Sequence, residues 1–339
     1  MAKDVKVKID LSKPVGSVGF GFPLLVWYEG ATDSPYLAYT ECYSLDDVVK
    51  AGVKESDALY KAAEMMLSQD NRPEKFAIIG GAISDEQAYG DITVLINDIK
   101  KVANKGWRQL VVVDGIETYH EEMVEYIDST PDKMLFCSVA TMPTLTEATK
   151  SNRAVILVNS TPYADAALVG ATAGRPAGSF TYKFKTLKGV TPSVLSDAEL
   201  KAIHEAGGIA YVTRAGDNIT TEGKATSGQY IDITDSIDYV VQNIEYKIQK
   251  VLNTTAKVPY DDKGIALLEA ATITALQEAG VNGIIAQNAD GSYDYSVSFG
   301  ARSATTEADR ASRVYKYGTF RFSLAGAIHE CEVTGEITY

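Results

Sequence analysis

Short apolar runs alternate with longer amphipathic stretches through the first two thirds of this chain. Lys75 to Gly80 (KFAIIG), Leu110 to Asp114 (LVVVD), Lys133 to Val139 (KMLFCSV) and Ala154 to Asn159 (AVILVN) are rich in Val, Ile, Leu and Phe. Such unbroken runs are the pattern of strands buried on both faces. Between them Ser44 to Ser68, Asp85 to Lys105 and Tyr119 to Ser129 have helical periodicity. Ser44 followed by Leu45, Asp46 and Asp47 suits a helix start, because an acceptor side chain and early acids complement the free amide end. Strand, helix, strand at this spacing predicts an α/β region from about Phe22 to Ala206, a mostly parallel sheet covered by helices.

The texture changes after Ile209. Thr213 to Thr234 (TRAGDNITTEGKATSGQYIDIT) is polar and Gly-rich, which predicts an inserted loop or an exposed hairpin. Ile237, Val240, Val241, Ile244, Ile248, Val251 and Leu252 then form a stripe at helical spacing, with Asp235 or Ser236 as cap and Pro259 beyond its end. A second helix is expected from Asp261 and Asp262, through Ile265, Leu268, Ile273 and Leu276, to a stop at Gly280. Gly283 to Gln287, the turn pair Asp290-Gly291 and the alternating Tyr293, Tyr295, Val297 and Phe299 predict a β-hairpin, completing an α+β C-terminal core.

Both chain ends ask for a sheet to join. Val5, Val7, Ile9 and Leu11 share one face of a period-two strand, and Asp4, Lys6, Lys8 and Asp10 share the other. Near the opposite end Phe320, Phe322, Leu324 and Ile328 have one parity, whereas Cys331, Val333, Ile337 and Tyr339 have the other. The switch near His329 implies a bulge or turn. These strands either pair within their own subunit or extend as arms that add to a neighbour's sheet through main-chain hydrogen bonds. The expected organisation is an N-terminal arm over residues 1–20, an α/β domain over 21–206, a C-terminal core over 207–318 and a β-strand arm over 319–339. Gly16, Gly19 and Gly318 flank the arms as candidate hinges or plain turn residues.

Composition narrows the function. The 339 residues carry 32 Lys and Arg against 45 Asp and Glu, a net charge of −13, which disfavours a broad nucleic-acid surface. The N-terminus lacks the apolar core of a signal peptide, and no run approaches the roughly eighteen apolar residues of a membrane span. The expected protein is therefore soluble, without stable membrane insertion, and the sequons at Asn159, Asn218 and Asn253 are chance matches. Cys42, Cys137 and Cys331 are too widely spaced for a disulfide framework or zinc site, and Cys137 reads as core. His120, His204 and His329 have no partners at metal-binding spacing, so no metal or cofactor is expected.

The glycines of Ile79 to Ser84 (IGGAIS) and Gly170 to Ser179 (GATAGRPAGS) complete neither phosphate-loop pattern and read as tight turns. Asp114, Ser84 and Asn159 follow three apparent strands, at the edge where α/β enzymes gather ligands. They keep open a cytoplasmic enzyme or nucleotide-binding protein acting near Asp114. An excess of 20 Tyr over 9 Phe favours surfaces buried against partners yet partly wet.

Tyr43 to Lys75, the polar loop ending in Ser227-Gly228-Gln229-Tyr230-Ile231-Asp232, and Val258-Pro259-Tyr260-Asp261-Asp262-Lys263-Gly264-Ile265 with the following helix resemble tail sheath proteins of contractile phage tails. The ending Ala325-Gly326-Ala327-Ile328-His329 is similar to the smaller members of that group. The resemblance implies a structural protein with no catalytic residues and no cofactor, which polymerises with itself in stacked helical rings. Its other implied partners are a tail tube protein, baseplate proteins and a tail terminator, with no direct contact to nucleic acid. It further implies assembly in the host bacterial cytoplasm, a place in the virion tail, and contraction that drives the tube through a cell envelope for genome ejection. Terminal arms in that family add strands to neighbouring subunits, which maps onto Val5, Val7, Ile9 and Leu11 and onto the strands around Phe322 and Val333 to Tyr339. A core helix faces the tube, either 235–252 or 262–279. A non-contractile structural protein, such as a capsid accessory, is a further alternative. The −13 charge, repeated around a tube, becomes a repulsion that specific contacts must offset, so assembly is expected to depend on salt.

Overall fold

All four apolar runs are strands of a single eight-stranded sheet. The computed structural model describes residues 21–29, 37–82, 92–113, 121–147 and 149–335. Through its first two thirds the chain forms β1 (Phe22–Glu29), β2 (Leu37–Cys42), α1 (Leu45–Lys50), α2 (Ala58–Leu67), β3 (Phe76–Ala82), α3 (Ile92–Lys101), β4 (Trp107–Val113), α4 (Glu121–Ser129), β5 (Met134–Val139), β6 (Ala154–Val158), α5 (Ala164–Thr172), α6 (Asp197–Glu205), β7 (Gly208–Arg214) and β8 (Asp217–Thr220). The strand order is β2-β3-β1-β4-β5-β6-β7-β8, parallel from β3 to β7, with antiparallel β2 and β8 at the edges.

Side-chain alternation sends Leu25, Trp27, Val111 and Phe136 to one face, where Val48, Leu59, Met66 and Leu168 of α1, α2 and α5 cover them. Leu24, Val26, Leu110 and Leu135 go to the other face, under Leu95, Ile99, Val124 and Ile127 of α3 and α4. Both faces are thus dry, which is why β4 and β6 are buried along their whole length.

Ser44 caps α1 as expected, in a capping box with Asp47. The periodic stretch from Ser44 to Ser68 is nevertheless two helices, because Gly52 turns the chain at φ +99°. Of the glycines expected in turns, Gly174 and Gly178 are in turns, whereas Gly80 and Gly170 serve close packing. A Cβ on Gly80, within β3, would meet the Trp27 carbonyl oxygen of β1 at 1.6 Å. One on Gly170, within α5, would lie 2.2 Å from the Met66 carbonyl oxygen of α2.

The expected domain boundary after residue 206 falls inside the sheet. Leu157 of β6 pairs with Ile209 of β7, and β7 turns through Ala215 and Gly216 into β8. The polar stretch 213–234 is the expected exposed hairpin only at its start, where β7 and β8 pair across an exposed turn; beyond it Thr220, Thr221, Glu222, Ala225 and Thr226 are buried. Threonine makes this possible by burying its methyl group while its hydroxyl finds a partner. Thr226 Oγ1 accepts from the Ser151 amide at 2.9 Å and Thr221 Oγ1 from the Ala210 amide at 3.1 Å.

The remaining elements are α7 (Ile231–Thr254), α8 (Asp262–Val281), β9 (Tyr295–Phe299), α9 (Glu307–Ala311) and β10 (Gly318–Phe322). Asp261 caps α8 by accepting from the amides of Lys263 and Gly264. Val240 and Ile244 of α7 pack with Ala275, Leu276 and Ala279 of α8, and Tyr295, Val297, Phe320 and Phe322 close this smaller core. Three expectations shift here. The helix expected from Asp235 starts at Ile231, with Asp235 and Ser236 buried inside it. α8 ends at Val281, one residue beyond the expected stop at Gly280, and a Cβ on Gly280 would strike the Tyr293 ring at 2.5 Å. The hairpin expected across 283–299 is short, held around the Asp290-Gly291 turn by the bridge of Gln287 to Tyr293 and by the Asp294 amide donating to the Ala286 carbonyl at 2.8 Å, and β9 beyond it pairs with β10.

Candidate assembly site

The β9–β10 pair is a small antiparallel ribbon, with Val297 opposite Phe320 and Tyr295 opposite Phe322. Each strand has one strand partner among the described residues, so the outer edge of each presents unpaired main-chain groups, the feature to which another extended segment can add. A two-stranded ribbon is marginal alone, and here the α7–α8 pair supports it.

This geometry sorts the expected arm residues. Phe320 and Phe322 belong to a strand paired within the chain, their rings stacked 6.4 Å apart against the smaller core, and Leu324 bridges Ile285. Within this chain Phe320 and Phe322 are thus half-buried against the smaller core, and Leu324 remains partly exposed. Gly318 opens β10, where a Cβ would meet the Phe299 ring at 2.7 Å, so close packing accounts for that glycine. Ile328 and Val333 lie in a segment without regular structure and are each 86% exposed. Val5, Val7, Ile9, Leu11, Gly16, Gly19, Ile337 and Tyr339 lie outside the described residues.

A buried charge cluster fastens α7 to the sheet. Arg108, on β4 and 1% exposed, donates from Nη2 to Asp235 Oδ1 at 2.5 Å and from Nη1 to Asp238 Oδ2 at 2.8 Å. Arg153 grips Asp238 with two bonds of 2.8 Å, and Tyr182 donates its hydroxyl to Asp235 Oδ2 at 2.9 Å. Two arginines face two aspartates, so the cluster is neutral within itself. Burial pushes the Asp238 carboxyl up, but the Arg108 and Arg153 guanidiniums outweigh it and hold the group below the usual carboxylate range. In the sequence Arg108 is hidden in the strand WRQLVVV, and Asp235 looks like a helix cap. The overlooked signal is two acids three residues apart on one face of α7, in line with the apolar stripe.

The enzymatic alternative looks to the carboxyl ends of the strands. Asp114 and Ser84 lie outside the described residues, as does His120. A cleft of ≈ 200 Å³ opens there between Val112, Ser138, Asn159, Thr161, Tyr163 and Asp165. Asn159 is committed to structure: Nδ2 donates to the Thr191 carbonyl at 2.9 Å and Oδ1 accepts from the Thr161 amide at 2.8 Å. Asp165 accepts from the amides of Ser138 and Ala166, yet burial dominates and raises its carboxyl to about 6. Burial pushes the Cys137 thiol well up. His204 is hydrogen-bonded through Nε2 to Thr221 Oγ1 at 2.8 Å. Among the described residues no group of acids, cysteines and histidines could hold a metal, and no helix is long and apolar enough to cross a membrane.

The sequence matches no protein-family model and no curated protein. Solved structures do match. A chain of the six-fold symmetrised baseplate of the anti-feeding prophage has a TM-score of 0.70 at 15% identity, over 100% of this chain and 99% of that one. A chain of the contracted helical sheath of the same prophage has a TM-score of 0.67 at 14% identity, over 98% of this chain and 97% of that one. A sheath tail protein from Listeria innocua has a TM-score of 0.59 at 10% identity, over 84% and 89%. The fold is therefore that of contractile sheath proteins.

Proposed function

We propose that this chain is the subunit of a contractile sheath, which polymerises helically around an inner tube and contracts to drive it through a cell envelope. The observation that carries this reading is the span of the likeness: nearly the whole chain matches nearly the whole of a subunit from a contracted helical sheath. The β9–β10 ribbon adds a physical reason, since its open edges suit strands supplied by neighbouring copies, with Val5, Val7, Ile9 and Leu11 as the N-terminal candidate and Val333 to Tyr339 as the C-terminal one. The partners are then other copies of itself, the tube, the baseplate and a tail terminator. The setting is a phage tail or a phage-like injection device assembled in the host cytoplasm. Of the two helices considered for the tube, α8 has the freer face: Leu267 and Val281 are exposed, whereas Asp235, Asp238 and Glu245 of α7 are buried.

Negative-stain microscopy of the purified protein, at low and at raised ionic strength, tests this. Hollow tubes with helical striation are expected, favoured by salt because each subunit carries −13. Removal of residues 1–12 should leave a folded subunit that forms no ordered tubes. Monodisperse particles at every salt concentration, together with saturable nucleotide or sugar phosphate binding, would replace this reading with the enzymatic one.

A further inference from the structure

The last described segment crosses back over the body of its own subunit. After β10, Ala325 donates its amide to the Ile284 carbonyl at 2.9 Å. Over residues 326–335 a single hydrogen bond to the body follows among the described residues, between His329 Nε2 and Thr181 Oγ1 at 2.8 Å. Between this crossing and the body lies a cavity of ≈ 180 Å³, bordered by Thr181, Asp232, Ser236, Ile284, Leu324 and Ala327. The crossing is thus held at its two ends and loosely seated between them.

The seat for the imidazole is specifically built. Tyr230 meets the ring edge-on at 5.0 Å and Phe184 does so at 6.1 Å. Phe184 takes a left-handed backbone, φ +63°, which is costly for a bulky residue and turns up where a side chain must be aimed. Gly223 leaves the remaining space, since a Cβ there would crowd Thr181 Oγ1 at 3.2 Å and touch the His329 ring at 3.5 Å. Inside the seat, Nδ1 is shielded from water and has no hydrogen-bond partner.

We propose that residues 326–335 form a detachable strap, held on its own subunit by the neutral imidazole of His329 and released when that ring takes up a proton. In the tautomer with its proton on Nε2, the neutral ring donates to Thr181 Oγ1 and leaves Nδ1 a bare lone pair. The cation has an N–H at both nitrogens, and the one at Nδ1 faces no acceptor. The surrounding charges do not rescue it. Lys183 and Lys224 oppose the cation, Glu222 and Asp232 favour it, and Glu222 is already paired with both lysines at 3.2 and 3.0 Å. Glu330, the strap's own neighbouring acid, lies by Lys224. Burial first, and Lys183 next, lower the affinity of the ring for a proton. The released ring titrates near its ordinary value of about 6.5, so docking is intact above that pH and weakens by up to about tenfold per pH unit below it, until the docked ring itself protonates.

The test uses the native cysteines. Cys331 is exposed while Cys42 and Cys137 are buried, so a thiol-directed nitroxide labels the strap of the folded full chain. Its electron paramagnetic resonance spectrum should show a mobile component that grows relative to the restricted one, by up to about tenfold, between pH 7.5 and pH 5.5, with near-ultraviolet circular dichroism unchanged. His329→Gln, which cannot titrate, should abolish the pH response, and His329→Lys, permanently charged, should give a mobile label at both pH values. A label equally mobile at the two pH values in the native chain, or a pH response that survives in His329→Gln, overturns the proposal. That strap release supplies a segment to a neighbouring copy rests on the sheath reading. Failure of tube formation with a normal strap response would count against that reading alone.

Discussion

Arg108→Met is the sharpest probe of how the C-terminal helices are joined to the sheet. Arg108 donates to Asp235 twice, at 3.2 and 2.5 Å, and once each to Asp238 at 2.8 Å and to the Asp132 carbonyl at 2.9 Å. After substitution Asp238 keeps its two bonds from Arg153, but Asp235 keeps only the neutral hydroxyl of Tyr182. A carboxylate side chain 3% exposed with one neutral donor is a stranded charge, and removing one member of such a buried pair costs about 3–5 kcal/mol. Methionine fills the arginine stem, so little of that loss is cavity. The double variant Arg108→Met/Asp235→Asn removes both charges and should fall short of the summed single losses by about 1–3 kcal/mol. Urea unfolding at pH 7, followed by Trp107 fluorescence beside the site, gives the energies, and amide exchange shows whether α7 opens before the sheet. A single-variant loss under about 1 kcal/mol, or strictly additive losses, would refute the claim that these charges join the two parts. Because the Asp238 carboxyl is held below its ordinary range, its contribution is full above the unfolded value of about 3.9 and is lost as pH falls through the lower folded value.

Two further perturbations test the sheet and its cover. Gly170→Ala sets a Cβ 2.2 Å from the Met66 carbonyl oxygen, which the α2 backbone cannot easily yield, so a loss of about 1–3 kcal/mol is expected in thermal melts; an unchanged melting temperature would mean that α2 and α5 have slack. Asp165, raised to about 6 by burial, contributes stability that is full below about 3.9 and is lost as pH rises through 6, a change of about 3 kcal/mol. In Asp165→Asn that loss is absent, so the stability difference between native chain and variant should shift by this amount between pH 4 and 7; a constant difference would show that the carboxyl titrates normally.

What could be read in advance depended on whether a residue's role was local. β3 to β6 were legible because strands between two helical layers need unbroken Val, Ile and Leu, and the Asp261 cap of α8 is visible as an acid before a helical stripe. Polar composition is a poor guide to exposure in this chain. Thr220, Thr221 and Thr226 are polar yet buried, their hydroxyls paired with main-chain groups, and Asp235 is an ion-pair partner 127 positions from Arg108 where a cap was expected. The β9–β10 pairing failed for a related reason. Tyr293 to Phe299 alternate as a hairpin strand should, and nothing local says that the partner is Gly318 to Phe322 across an intervening helix. For the candidate arms, alternation at the two ends indicates strands but carries no information on which sheet receives them.

Taken mechanically, the two kinds of contact at the C-terminal end behave oppositely under load. Pulling α7 away from β4 would strand two aspartates and two arginines before water could reach them, so partly opened states are high in free energy and the joint acts as all or none. The ribbon edges and the strap are the reverse case. Main-chain groups at an open edge exchange water for a new strand at little net cost, and one imidazole hydrogen bond holds residues 326–335. Deformation therefore concentrates at the ribbon and strap while the sheet, α7 and α8 move as one block. On the proposed sheath reading, in which subunits slide past each other without melting, this partition would let links between copies bend while the force passes through a body that does not.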